Sequence, residues 1–212
     1  ASPRRSPTSP DPKAMSRKSS RPRCPVCGLH LELCVCADLP VRDLSTDFVV
    51  VQHNRERNKP TSTGPVTAAV LRAPILNYGA QDERFDPREL ERPDTDYYVL
   101  YPLPDSAIVD DASTRPAPGR RRCFVILDGT WHQCSRMARR APGVEAMPHL
   151  ALPPGPPSRW GVRTPPNPAA VCTFEAATRL VEVLHGPEAA APMAAFFTEL
   201  SARMLGQRGR IT

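Results

Sequence analysis

The sequence predicts an α/β fold with a mostly parallel sheet and a small cysteine knuckle in front of it. Three observations carry that expectation. Short apolar runs alternate with helix-type stretches from residue 47 onward, the pattern of a sheet covered on both faces. One run, Val125-Ile126-Leu127, leads into Asp128-Gly129-Thr130-Trp131 and reads as a buried strand that ends on a carboxylate, turns at a glycine and opens a helix. Four cysteines, Cys24, Cys27, Cys34 and Cys36, crowd together ahead of the first strand.

The elements follow in order. Asp47 to His53 is apolar almost throughout and reads as a strand buried on both faces. A polar loop, Asn54 to Ser62, leads to Thr63-Gly64-Pro65, where Ser62 or Thr63 caps a helix with proline in its first turn. Ile75 to Tyr78 is a short strand ended by Gly79, and Asp96 to Tyr101 is another, stopped by Pro102. The strand Cys123 to Leu127 runs into the Asp128 turn, and a helix starts near Trp131. A further strand lies near His149 to Leu152. Residues 153–168 hold seven prolines and read as a stiff loop, because proline removes a backbone donor and clashes inside helices. Two helices close the chain, near Thr173–His185 and Glu188–Leu205.

Charge is unevenly placed. The net charge is +6, and residues 1–23 carry seven basic groups against Asp11 alone, so the remainder balances to zero. This Pro/Ser/Arg stretch cannot bury apolar surface, and a disordered tail over 1–23 is expected, either inert or adding salt-dependent affinity for RNA. Met15-Ser16 is a candidate translation start. No apolar run approaches the ~20 residues that cross a bilayer, and no secretory signal is visible. A cytoplasmic chain without a membrane partner is therefore expected, and a monomer. Residues 82–96 are acidic, whereas Arg120-Arg121-Arg122, then Arg136, Arg139 and Arg140, then Arg159 and Arg163 flank the Asp128 segment in sequence. Arg136, Arg139 and Arg140 share one helix face at i, i+3, i+4 spacing. A solvated face would look the same, but three basic clusters around one segment point to an anionic polymer.

The cysteine spacing, C-x-x-C, six residues, then C-x-C with Gly28 after the first pair, suits a tetrahedral Zn²⁺ site closed by four thiolates over residues 24–40. Disulfides are disfavoured in a reducing compartment, and a thioredoxin-like pair lacks its βαβ surroundings. An iron–sulfur cluster uses the same ligands and stays open. Cys123, Cys134 and Cys172 sit in apolar settings and read as small core residues.

With these pieces in order, the chain resembles the DTW-domain family, the tRNA-uridine aminocarboxypropyltransferases. The resemblance runs from about residue 24 to 205. It rests on the four-cysteine knuckle, on His53 and Glu56 with the downstream Thr63-Gly64, and on Leu100-Tyr101-Pro102. It rests further on Asp128-Gly129-Thr130-Trp131, on Ser158-Arg159-Trp160-Gly161-Val162-Arg163, and on Cys172-Thr173-Phe174-Glu175-Ala176. The usual Asn before Thr-Gly is Ser62 here, and the helix after the signature carries Cys134-Ser135-Arg136-Met137 where small and Lys-Met residues are common. Both departures are expected to touch packing and RNA contact more than chemistry.

The resemblance implies a knotted, SPOUT-like domain over 41–212 that binds S-adenosylmethionine, although knots are rare. It implies transfer of the cofactor's 3-amino-3-carboxypropyl group to N3 of a tRNA uridine, leaving methylthioadenosine. An RNA methyltransferase of similar fold and a non-enzymatic zinc-knuckle RNA-binding module are the alternatives. The implied cofactor site lies near Thr63, Gly64, Pro102, Asp128, Trp131, Leu152 and Thr173. Asp128 is the candidate base for the weakly acidic N3–H, a cofactor-orienting group, or an N-cap. Thr63 and Gly64 open a helix that receives the cofactor's carboxylate or is simply capped. Trp131 and Trp160 stack on a base or pack in the core, Trp131 being the more core-like of the two. Arg136, Arg139, Arg140, Arg159 and Arg163 are the RNA-contacting candidates, with Arg159 and Arg163 also able to clamp a phosphate or carboxylate. Glu175 reads as a helix-start cap or an arginine partner, and His53 as a satisfied strand-end histidine.

Overall fold

The computed structural model describes residues 21–79 and 84–209. The tail expected over 1–23 lies outside the described residues except at its end. There, Arg23 bridges antiparallel to His30 and Arg21 pairs with Glu32 at 3.4 Å, so the knuckle begins at residue 21.

Six strands and four α-helices make up the main body. The strands are β1 (Asp47–His53), β2 (Ile75–Tyr78), β3 (Thr95–Leu100), β4 (Ala107–Ile108), β5 (Arg121–Asp128) and β6 (His149–Ala151). The helices are α1 (Gly64–Leu71), α2 (Trp131–Arg140), α3 (Thr173–His185) and α4 (Pro187–Gly206). The sheet order is β2-β1-β5-β3-β6-β4, and every pairing is parallel. β4 had no signal in the sequence: it is two exposed residues between polar turns.

Alternation along β5 shows how the sheet divides the core. Phe124 and Ile126 join a cluster with α1, α3, α4 and the knuckle, while Cys123, Val125 and Leu127 join a second cluster with α2. A strand apolar on both faces is what two helical layers require. Burial pushes the Cys123 thiol up to about 12, in keeping with a core role. The knuckle is not a separate bead. Cys24, Cys27, Leu29 and Val35 belong to the first cluster, and Arg203 of α4 donates to the Leu33 carbonyl at 3.2 Å.

The register places the site. Gln52 of β1 is the partner of Asp128 of β5, so the two strands end together and their following segments leave from one edge. Arg120, Arg121 and Arg122 lie at the opposite end of β5, about 23 Å of strand away. There they pair with Asp96, Asp47 and Asp111, at 2.6, 2.6 and 2.7 Å. That cluster is therefore structural and does not flank Asp128.

Candidate active site

Asp128 is buried, with 3% exposure, and accepts three side-chain hydrogen bonds. Gln52 Nε2 and Ser62 Oγ donate to its Oδ2 at 2.9 and 2.8 Å, and Thr173 Oγ1 donates to Oδ1 at 2.7 Å. The donors come from β1, the loop before α1, and the first residue of α3. Gly64 makes this approach possible: a Cβ there would lie 2.4 Å from Asp128 Oδ2. Asp128 itself thus occupies the N-terminal end of α1, the position considered above for a cofactor carboxylate. It is not an N-cap, since Thr130 caps α2 through a capping box with Gln133.

Around this carboxylate opens a cleft of about 700 Å³ on the C-terminal edge of β5, β3 and β6. That edge is where open α/β sheets hold ligands, and the volume suits a small-molecule cofactor. Thr63, Pro102, Asp128, Trp131, Leu152 and Thr173 all line it, whereas Gly64 is buried behind Asp128. Thr63 does not cap α1 with its side chain; its hydroxyl accepts from Phe174 N–H at 3.3 Å and ties α1 to α3.

The structure separates the two tryptophans, each of which could stack or pack by sequence. Trp131 stands half-exposed at the start of α2, tilted against Tyr101 with ring centroids 5.8 Å apart. Trp160 is 3% exposed and packs on Phe197 at 5.5 Å. Trp131 is the one free to stack on a planar ligand.

The proline-rich wall is anchored at two points. Glu175 accepts from Ser158 Oγ and Arg159 N–H at 2.6 Å each, and from Cys172 N–H at 3.0 Å, closing a capping box at α3. Arg163 donates through Nη2 to Glu56 at 2.6 Å and through Nε and Nη2 to Thr61 at 3.0 and 2.8 Å. Glu56 is fully buried and also pairs with Lys59 at 2.6 Å. The guanidinium fork of Arg163 is spent on Glu56 and Thr61 instead of being left for a free anion. Arg136, Arg139, Arg140 and Arg159 are exposed, and Arg139 donates to Ser135. His53 Nδ1 accepts from Arg55 N–H at 3.2 Å, and burial together with Arg55 and Arg136 holds its pKa below the usual value. Cys134 and Cys172 are pushed up by burial and line the cleft as apolar groups.

The four knuckle sulfurs lie within 4.8 Å of one another, with Cys24–Cys36 at 3.6 Å and Cys27–Cys34 at 3.7 Å. A tetrahedron of thiolates at Zn–S of about 2.3 Å has edges of roughly 3.8 Å, and a disulfide would need about 2.05 Å. The set therefore has the spacing of a four-thiolate metal site.

A family model, DTW domain, matches residues 21–205. The chain belongs to the DTW-domain family. Three relatives carry the name tRNA-uridine aminocarboxypropyltransferase 2. The mouse (Mus musculus) protein is 24% identical over 170 residues, the Macaca fascicularis protein 26% over 171, and the Drosophila melanogaster protein 25% over 174. Each alignment covers 77% of this chain, and 57%, 57% and 67% of the relative. The chain thus spans somewhat over half the length of the mammalian relatives. No solved structure matches it. Within the DTW-domain signature, the aspartate is the hub of the site, the threonine caps α2, and the tryptophan faces the cleft. Sequence reasoning missed Gln52, and it assigned Ser62 to packing although Ser62 bonds Asp128 directly. The available signal for Gln52 was a polar residue inside an otherwise apolar strand.

Proposed function

We propose that this DTW-domain protein is a tRNA-uridine aminocarboxypropyltransferase, moving the 3-amino-3-carboxypropyl group of S-adenosylmethionine to N3 of a tRNA uridine. The observation that carries the reading is the cleft itself, in which the signature Asp128 and Trp131 meet the proline-rich wall beside Thr63 and Thr173. The names of the relatives support the same substrate class.

When bound, S-adenosylmethionine would supply a sulfonium-activated Cγ: transfer would form an N3–Cγ bond, break the Cγ–S bond with methylthioadenosine leaving, and release the N3 proton to water. The chain's contribution is placement, because regiochemistry depends on which carbon faces the nucleophile. Trp131 offers a flat apolar face to a planar ring, with Pro102 and Leu152 also lining the cleft. Thr63 and Thr173 bring hydroxyls to its polar end. Asp128 puts a fixed negative charge beside a cationic ligand. Both its oxygens already accept hydrogen bonds, so we assign it positioning and electrostatic duty rather than the role of N3 base.

The knotted connection belongs to the same proposal, and chain path supports it. β6 is inserted between β3 and β4, which are consecutive in sequence. Tyr101 and Leu103 pack on the α2 side, while Val109 packs on the α3 side. A 101–120 segment that passes around β6 would make such a connection. Four-thiolate zinc at the knuckle completes the reading, as a structural metal that the sulfur spacing fits.

The test is nucleoside mass spectrometry after incubating unmodified tRNA with protein and S-adenosylmethionine. Aminocarboxypropyl-uridine with release of methylthioadenosine is expected. A methyl increment, with S-adenosylhomocysteine, would make the protein a methyltransferase, and absence of cofactor binding would favour an RNA-binding module.

A further inference from the structure

The balanced charge of the folded chain conceals a separation between the two ends of the sheet. At the start of β5, each exposed arginine meets an aspartate: Arg120 with Asp96 and Arg121 with Asp47. At the other end, Arg55 and Arg57 of the β1–α1 loop and Arg136 of α2 are exposed, and their side chains make no hydrogen bond or ion pair among the described residues. Glu56, between Arg55 and Arg57 in the chain, and Asp128, at the end of β5, are buried and already engaged. Among the described residues, no ion pair neutralises the three guanidiniums.

They also belong together. β1 and β5 are adjacent and end in register, so the loop after β1 and the helix after β5 leave side by side. His53, at the end of β1, lies within the field of both Arg55 and Arg136. Behind it, the ring of Tyr78 on β2 sits 6.2 Å from the His53 ring, edge to face. The patch borders the cleft, since Thr61 of the same loop lines it.

We infer that Arg55, Arg57 and Arg136 form a phosphate-contacting surface that receives the tRNA backbone on the β1 side of the cleft. A run of unpaired guanidiniums beside a cleft is what an anionic strand requires, through bidentate phosphate contacts and counterion release. The strand then crosses the ends of β1 and β5, and the target nucleotide turns into the cleft past Trp131. At the N-terminal end of β5, by contrast, Arg120 and Arg121 already hold aspartates. This inference rests on tRNA being the substrate.

The experiment compares full-length wild type, Arg55→Ala/Arg57→Ala and Arg120→Ala for binding of an unmodified tRNA transcript across a salt series. S-adenosylmethionine affinity and methylthioadenosine release are measured in parallel. The double variant is expected to weaken tRNA binding by about tenfold to a hundredfold and to flatten the log–log salt slope by about 1.4–1.8, the value for two phosphate contacts. Its cofactor affinity stays at the wild-type value, and Arg120→Ala behaves as wild type. A double variant with wild-type tRNA affinity and slope would overturn the surface, and the transfer reading would survive if product still forms. Wild type that binds tRNA steeply but releases no methylthioadenosine would overturn the transfer reading and leave the surface standing. No tRNA binding by wild type would overturn both.

Discussion

Gly64→Ala is expected to disable the site from behind, through Asp128. Gly64 opens α1, where alanine would ordinarily help by up to about 1 kcal/mol. Here its Cβ would lie 2.4 Å from Asp128 Oδ2, 2.5 Å from Cγ and 3.0 Å from Cβ. Asp128 cannot retreat cheaply, because its backbone is in the central strand and three donors hold its side chain. Overpacking of this kind costs about 1–3 kcal/mol. Each charge-assisted hydrogen bond lost in the adjustment adds about 1.5–3 kcal/mol. With the helix gain subtracted, a net loss of about 2–4 kcal/mol is expected if one such bond breaks. At about 2–4 °C per kcal/mol, the melting temperature falls by about 4–15 °C. Thermal unfolding and cofactor calorimetry on Gly64→Ala, Asp128→Ala and the double variant give the decisive cycle. The double variant relieves the clash, so its stability loss should be clearly smaller than the sum of the single losses, while cofactor affinity stays low. Wild-type melting and affinity in Gly64→Ala, or simple additivity in the cycle, would refute the contact.

Asp128→Asn keeps the shape, since its amide can donate to Thr173 while its oxygen accepts from Gln52 and Ser62; cofactor affinity should fall about 5–30-fold, equivalent to about 1–2 kcal/mol. A turnover loss of ~10²–10⁴-fold at unchanged affinity would instead make Asp128 the base. Arg163→Met leaves buried Glu56 with Lys59 alone, and the melting temperature should drop by about 3–10 °C, from about 1–3 kcal/mol. Cofactor affinity should fall with it as the proline-rich wall loosens, and a stable variant with normal affinity would show the latch to be dispensable. Metal analysis should find one zinc per chain, lost in Cys24→Ser/Cys36→Ser. Chelation should also loosen α4, measurable as faster amide exchange, because the knuckle packs on it. Iron with visible absorbance would overturn the zinc assignment.

β1 and β5 were legible because burial on both faces writes long apolar runs, and β2, β3 and β6 lie where shorter runs with apolar residues are. β4 left no trace, since two exposed residues paired only at an edge need no apolar side chains. The signature carboxylate was legible from its place at a strand end. Its partners were less so: Gln52, Ser62 and Thr173 are 76, 66 and 45 residues away, and only the register joins them. Charge misled most. Arg120 to Arg122 and Arg163 look like their exposed neighbours in sequence, and only the fold shows that each meets a carboxylate. Sequence could not tell the two tryptophans apart for a related reason: Trp160 lies in a proline-rich loop, but Glu175 folds that loop down onto α4's Phe197.

The geometry also explains how one aspartate can hold the architecture and, in the proposed function, face the cofactor. A parallel sheet sends every strand end, and every following helix start, to the same edge. Three helices begin at Asp128: α1 with Gly64 against its carboxylate, α2 three residues on, and α3 with Thr173 bonded to it. Their N-termini favour a negative charge there before any ligand arrives. The charge that would face a cationic cofactor is thus the one that holds β1, α1, β5 and α3 in place. Activity lost on changing Asp128 therefore identifies a mechanism only when melting temperature and cofactor affinity are measured beside it. A variant that melts like wild type yet turns over slowly has lost chemistry, and one that loses all three together has lost the edge on which the cleft is built.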